Sequence, residues 1–169
     1  HPYATLNLVT SLPAAGGGFT LGQRDINRMR EFAALGATPC RVTSVSGFSN
    51  SLVNNLTVVN AHAPSVLDFR VPAGIREIRA AYGIHDEAYT NPNAQTDGVE
   101  FTVRHRAVDG SERVLFTRLL VPGQHQADQG MQHIELQLAQ AVAGEIVLQI
   151  GPGPRENTNY DWAYLGQVE

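Results

Sequence analysis

Residues 99–120 read VEFTVRHRAVDGSERVLFTRLL, and no other stretch limits the choice of fold as much. Val99, Phe101, Val103 and His105 fall on one face of an extended chain. Glu100, Thr102, Arg104 and Arg106 fall on the other, which is the period-two signature of a strand with one buried side. Asp109-Gly110 supplies the residues of a tight hairpin turn, and Arg113 to Leu120 forms the return strand. An isolated hairpin is marginal in water, so this one needs further strands to pack against.

The rest of the chain beyond Cys40 supplies them. RVTSV (41–45), LTVVNA (56–61), VLDFRV (66–71), IREIRAAYGI (75–84), HIELQL (133–138), EIVLQI (145–150) and DWAYLGQV (161–168) are separated by turn formers. Short strands at regular spacing, with no helices between them, predict a mainly β, antiparallel sandwich or barrel. At 169 residues the chain suits a single domain, since one core typically organises about 100–200 residues. A core of that size needs no disulfide or metal to hold it.

Residues 1–40 have a different character from the sandwich segment 41–169. Ala4 to Val9 alternates and predicts a strand, and Pro13 to Gly18 (PAAGGG) has the composition of a flexible hinge. Asp25 as N-cap, Ile26, Met29, Phe32 or Ala33 and Leu35 at helical spacing, and Gly36 as C-cap predict one short helix. Pro39 blocks its continuation.

Several function classes are disfavoured. The formal net charge is −4, and all twelve basic residues are Arg, with no Lys in the sequence. Without a basic stripe the chain lacks the charge that nucleic-acid affinity rests on, and without Lys it lacks Schiff-base chemistry. Arg24, Arg28 and Arg30 read as the solvated face of the short helix. No run of 18 apolar residues is present, so no membrane-spanning helix is expected. Cys40 is alone, which rules out an intrachain disulfide and predicts a buried thiol. The start at His1, without Met or a charged-then-apolar leader, is what a processed protein or a fragment would show. There is no G-x-S-x-G elbow, no P-loop and no G-x-G-x-x-G opening a helix, so catalysis is not expected.

A series of signals from Pro64 to Glu169 resembles the NPCBM family of carbohydrate-binding modules. They are LDFRVPAGIREIRAAYGIHDEAY, TDGVEFTVRHRAVDGSERVLFTRLL, DQGMQHIELQL and GEIVLQIGPGPRENTNYDWAYLG. Gly98-Val99-Glu100-Phe101 and Asp161-Trp162-Ala163 are the sharper elements. The segment Gly151 to Asn157 departs from the family's longer Gly/Asp-rich stretch, and the first sixty residues have no counterpart in it. The resemblance implies a galactose-binding-like jelly-roll and glycan binding on an exported, extracytoplasmic protein.

A sugar site of that kind needs an aromatic platform and polar groups for the hydroxyls. Tyr160, Trp162, Asn157 and Asn159 near the last strand, with His85 and Tyr89 on the loop around Ala88, are the candidates. Alternation predicts that Tyr160, Trp162 and Tyr164 share a face of that strand. Calcium is the cofactor that the loop acids Asp86, Glu87, Asp97 and Glu100 suit, although they form no Asp-x-Asp-x-Asp loop. The six His are scattered and predict no transition-metal centre. A second reading stays open, in which Tyr3 to Val9 is a strand exchanged between copies of the chain and the protein is a self-assembling surface component.

Overall fold

The structure is a computed structural model, and it describes residues 18–93 and 95–169. Nine strands are present among them: β1 (Phe19–Gly22), β2 (Arg41–Ser44), β3 (Phe48–Val53), β4 (Leu56–Ala61), β5 (Ser65–Ile84), β6 (Val99–Arg106), β7 (Glu112–Leu120), β8 (Gln132–Pro152) and β9 (Ala163–Gly166). Every pairing between them is antiparallel.

Two of these strands organise the others. β5 and β8 pair with each other along most of their length, from Ser65↔Ile150 to Tyr82↔Gln132. The first half of β5 also pairs with β2, and the second half with β9. The last part of β8 pairs with β6. Two layers result, one ordered β1-β2-β5-β8-β6-β7 and the other β3-β4-β9-β5-β8, with the two long strands common to both. They change layer at the register shifts between Val71 and Glu77, where Gly74 has φ +93°. A bulge bends a strand and increases its twist, and a side chain at that φ would be strained.

The apolar faces of the layers meet in one core. Leu67, Phe69, Phe101, Val103, Ile146, Leu148 and Ile150 come from the first layer, and Val59, Ala61, Ile78, Ala80, Ile84 and Leu165 from the second. Tyr82 of the second packs on Phe101 of the first with ring centroids 4.7 Å apart. At the far end Phe48 of β3 meets Phe19 of β1 edge-on and Phe32 at 5.0 Å. The mainly β antiparallel sandwich expected from the sequence is the fold observed.

The hairpin expected at residues 99–120 is present. Val99, Phe101 and Val103 are buried, and β6 and β7 join through a turn in which the Gly110 N–H donates to the Ala107 carbonyl. Asp109 Oδ1 accepts from the Ser111 N–H at 2.9 Å.

Five local expectations are corrected. The single helix is instead a turn of α-helix, Gln23–Ile26, followed by a 3-10 turn, Glu31–Leu35. Asp25 lies inside the first turn rather than capping it, because Gly22, leaving β1, occupies the N-cap position. The apolar spacing is still informative, since Ile26, Met29, Phe32 and Leu35 are all buried. The strands expected at 66–71 and 75–84 are one strand, because Pro72-Ala73-Gly74 makes a bulge and not a turn. Those at 133–138 and 145–150 are likewise one. Finally, β1 and β3 are strands that the sequence pattern does not mark, so residues 19–40 contribute both strand and core to the sandwich. The strand expected at Ala4 to Val9 lies outside the described residues.

Candidate functional site

The solvent-facing side of the second layer carries a connected set of polar groups. Ser49 of β3 stands opposite Asn60 of β4, Asn60 opposite Tyr164 of β9, and Tyr164 opposite Gly83 of β5. Side chains at these positions project from the same face, because Val59, Ala61, Ala163, Leu165, Tyr82 and Ile84 between them point into the core. Two residues further along, the same cross-strand order brings His62, Trp162 and His85 side by side, and the His85 N–H donates to the Trp162 carbonyl at 2.9 Å.

Asn60 is the hub. Its Nδ2 donates to Ser49 Oγ at 2.9 Å and to Ser51 Oγ at 2.8 Å. Its Oδ1 can only accept, so His85 Nε2, 2.6 Å away, carries the proton. The His85 ring lies over Tyr164 with centroids 4.9 Å apart. Burial pushes the His85 pKa down despite the nearby charges of Glu87 and Asp86, so the imidazole is neutral at pH 7. His62 donates from Nδ1 to the Ala63 carbonyl at 2.7 Å, which leaves Nε2 as the ring nitrogen open to the groove.

Around this network lies an open groove of about 360 Å³, lined by Gly47, Ser49, Ser51, Asn60, His62, His85, Glu87, Trp162 and Ala163. Trp162 is 39% exposed and forms its aromatic wall. Tyr160 meets it edge-on, with centroids 5.4 Å apart. The groove thus combines an exposed ring with hydroxyl, amide and imidazole groups whose orientations are fixed by one another.

The candidates named from the sequence divide clearly by position. Trp162 and His85 line the groove, and Tyr160 supports Trp162 from behind. Asn157 and Asn159 are exposed on the preceding loop, where Asn157 Oδ1 accepts from the Asn159 N–H, and they do not line it. Tyr89 is buried, its hydroxyl donating to Asp86 Oδ1 and accepting from the Gly130 N–H. Burial and the Asp86 hydrogen bond push its pKa up to about 12. Of the expected shared face, Trp162 and Tyr164 do lie on the same side, with Tyr164 buried beneath His85, and only Tyr160 is corrected: β9 starts at Ala163 and Tyr160 sits in a turn with φ +61°.

The acids behave differently from one another. Asp86 and Glu87 are exposed at the short helix Glu87–Thr90, and Glu87 faces the groove. Glu100 is exposed on the outer side of β6, beside Leu119 and Gln149. Asp97 has both carboxylate oxygens shut off from solvent and without a hydrogen-bond partner among the described residues. Near it is Asp161, fully buried, whose Oδ1 accepts from the Thr96 hydroxyl while Oδ2 has no such partner. Burial, together with the charge of Asp97, raises the Asp161 pKa to about 7, although the Thr96 hydrogen bond works against it. No group of three or more His, Cys, Asp or Glu suited to a metal ion exists among the described residues.

Sequence reasoning missed Ser49, Ser51, Asn60, His62 and Asp161. Asn60 was detectable as the one amide in a β-branched run, LTVVNA, and Asp161 as the acid directly before the Trp. Ser49 and Ser51 gave no signal, because their role depends on which strand lies beside them.

No protein-family model matches the sequence, and no curated protein matches it. Solved structures similar to the chain include carbohydrate-binding modules. One comprises the CBM51-2 and INT domains of ZmpB from Clostridium perfringens, 17% identical, covering 74% of this chain and 26% of that one, with a TM-score of 0.46. This chain therefore spans about a quarter of that length. A second is TmCBM61 in complex with β-1,4-galactotriose, 11% identical over 90% of this chain and 80% of that one, at TM-score 0.42. A third is the K2 cleaved adhesin domain of Lys-gingipain, 10% identical with the same coverages, at TM-score 0.45.

Proposed function

We propose that the chain is a non-catalytic, extracytoplasmic carbohydrate-binding module and that its glycan lies in the groove beside Trp162. The observation that carries this reading is the exposed indole next to the Ser49–Asn60–Ser51–His85 network. Apolar faces of sugar rings stack on aromatic rings, and sugar hydroxyls need oriented donors and acceptors. Glycoside hydrolysis needs a pair of carboxylates, whereas among the described residues Glu87 is the only carboxylate in the groove lining. The two Ser hydroxyls accept from Asn60 and are not paired with a general base among the described residues.

Affinity electrophoresis in gels containing neutral polysaccharides tests the reading. The protein is expected to be retarded by at least one of them, and Trp162→Ala to migrate freely with an unchanged Tm. Equal retardation of the variant would overturn the assignment of the groove.

The calcium reading rests, among the loop acids, on Asp97, both of whose carboxylate oxygens are buried and without a hydrogen-bond partner among the described residues, with Asp161 Oδ2 as a second such oxygen near it. A hard cation bound there would neutralise both charges and tie the loop before β6 to the residue preceding Trp162. Self-assembly through Tyr3 to Val9 is the alternative function. The feature that favours it is β3, which ends its layer and pairs only with β4 among the described strands. Light scattering with and without residues 1–15 separates the two functions: a monomer in both forms favours the module, and a polymer that needs the segment favours assembly.

A further inference from the structure

We infer that Glu87 is a charge filter, which makes the groove selective for neutral sugars against uronates; this rests on the glycan-binding reading above. Two observations support it. The first is the polarity of the network. Ser49 and Ser51 accept from Asn60, so each retains a hydroxyl proton to donate outward. His62 Nε2, freed by the bond from Nδ1 to Ala63, and the Glu87 carboxylate are acceptors on the same lining.

A ligand that satisfies both sets must accept and donate from neighbouring atoms. A ring hydroxyl does both at once. A carboxylate or a sulfate only accepts, so it could pair with the serines but would leave His62 and Glu87 without donors.

The second observation is the charge of the lining. Glu87 is its only carboxylate among the described residues, and no guanidinium takes part in it. Asp86 adjoins Glu87 and adds a second negative charge close by. Glu87 makes no side-chain hydrogen bond or ion pair among the described residues, so its charge is not cancelled locally. An anionic sugar brought against Trp162 therefore meets uncompensated repulsion, whereas a neutral sugar gains an acceptor. The repulsion is the kind that salt weakens, because the groove is open to solvent.

The experiment uses the whole chain at pH 7 with cello-, manno- and galacto-oligosaccharides, each before and after oxidation of C6 to the carboxylate, measured by calorimetry. We expect the oxidised form of whichever sugar binds to bind about tenfold more weakly at low salt, with the difference shrinking as salt is added. Glu87→Gln should recover most of that tenfold loss and leave Tm unchanged. Equal or tighter binding of the oxidised form overturns the filter, as does a penalty that Glu87→Gln leaves intact. If neither form of any sugar binds, the glycan-binding reading itself falls, and the filter with it.

Discussion

Tyr164 lies across Gly83, its cross-strand partner, so closely that a Cβ on Gly83 would stand 2.7 Å from the Tyr164 Cζ and 2.9 Å from the Gly130 carbonyl oxygen. The glycine is what allows a phenol to lie flat on the outer face of the second layer. The phenol in turn is the floor on which His85 rests. Burial, with the neighbouring Tyr89 and the Asp86 carboxylate adding to it, pushes the Tyr164 pKa up to about 12.

Gly83→Ala should therefore cost about 1–3 kcal/mol through overpacking. For a chain of this size that lowers Tm by roughly 2–4 °C for each kcal/mol. Thermal unfolding followed by circular dichroism measures it, and a Tm equal to that of the wild type would show that the phenol can move aside.

Asn60→Ala removes the hub without opening a hole in the core, because Asn60 faces outward. Water can replace part of what is lost, so the expected cost in stability is about 1 kcal/mol. Glycan affinity should fall much further, by about tenfold or more, since Ser49, Ser51 and His85 lose their common anchor. Calorimetry and thermal melts on the same sample separate the two effects.

Asp161 gives stability a pH dependence of a definite sign. Its folded pKa, about 7, is raised by burial, so its protonated form favours the folded state. That contribution is full below about pH 4, the ordinary carboxylate value, and is lost as pH rises towards 7. Without calcium, the stability of the wild type relative to Asp161→Asn should fall over this window with a slope of up to about 1.4 kcal/mol per pH unit. His85, whose lowered pKa acts with the opposite sign, is present in both proteins and cancels. Adding calcium should flatten the difference if Asp97 and Asp161 bind it; a difference that is already flat in chelator would contradict the burial argument.

Cys40 should be inert while the protein is folded. Burial pushes its thiol pKa up, and the hydrogen bond it donates to Glu145 adds to the effect. Glu145 is also held by Arg41 and Arg106, which both reach Asp68, so the thiol faces an occupied ion network. A thiol-reactive dye at pH 8 is expected to label the native protein at least about a hundredfold more slowly than the protein in denaturant.

What the sequence revealed and what it hid follow from the range of the interactions concerned. The β6–β7 hairpin was legible because Val99, Phe101 and Val103 alternate and Asp109-Gly110 turns the chain, all within about twenty neighbouring residues. β3 was not, because FSNSLV buries only Phe48 fully, turns Ser49 and Ser51 to the groove and leaves Leu52 exposed, so no alternation marks it. The break in the helix after Ile26 was hidden because the apolar spacing is the same in two short turns as in one longer helix. Of the groove, Trp162 and His85 could be read as residue types suited to a sugar, but Asn60 gains its role only from the register that sets it between Ser49 and Tyr164. Separations of this kind, from Ser49 to Tyr164, leave no periodic trace in the chain.

β5 and β8 each run through both layers, and this leaves the sandwich without a seam. The layers cannot slide or peel apart as two plates, because two continuous stretches of backbone would have to straighten or tear out of both at once. Stiffness should therefore pass from one layer to the other along the chain itself. A sugar that quiets the backbone beside Trp162 would also slow amide exchange at Arg41–Ser44, on a strand that never touches the groove.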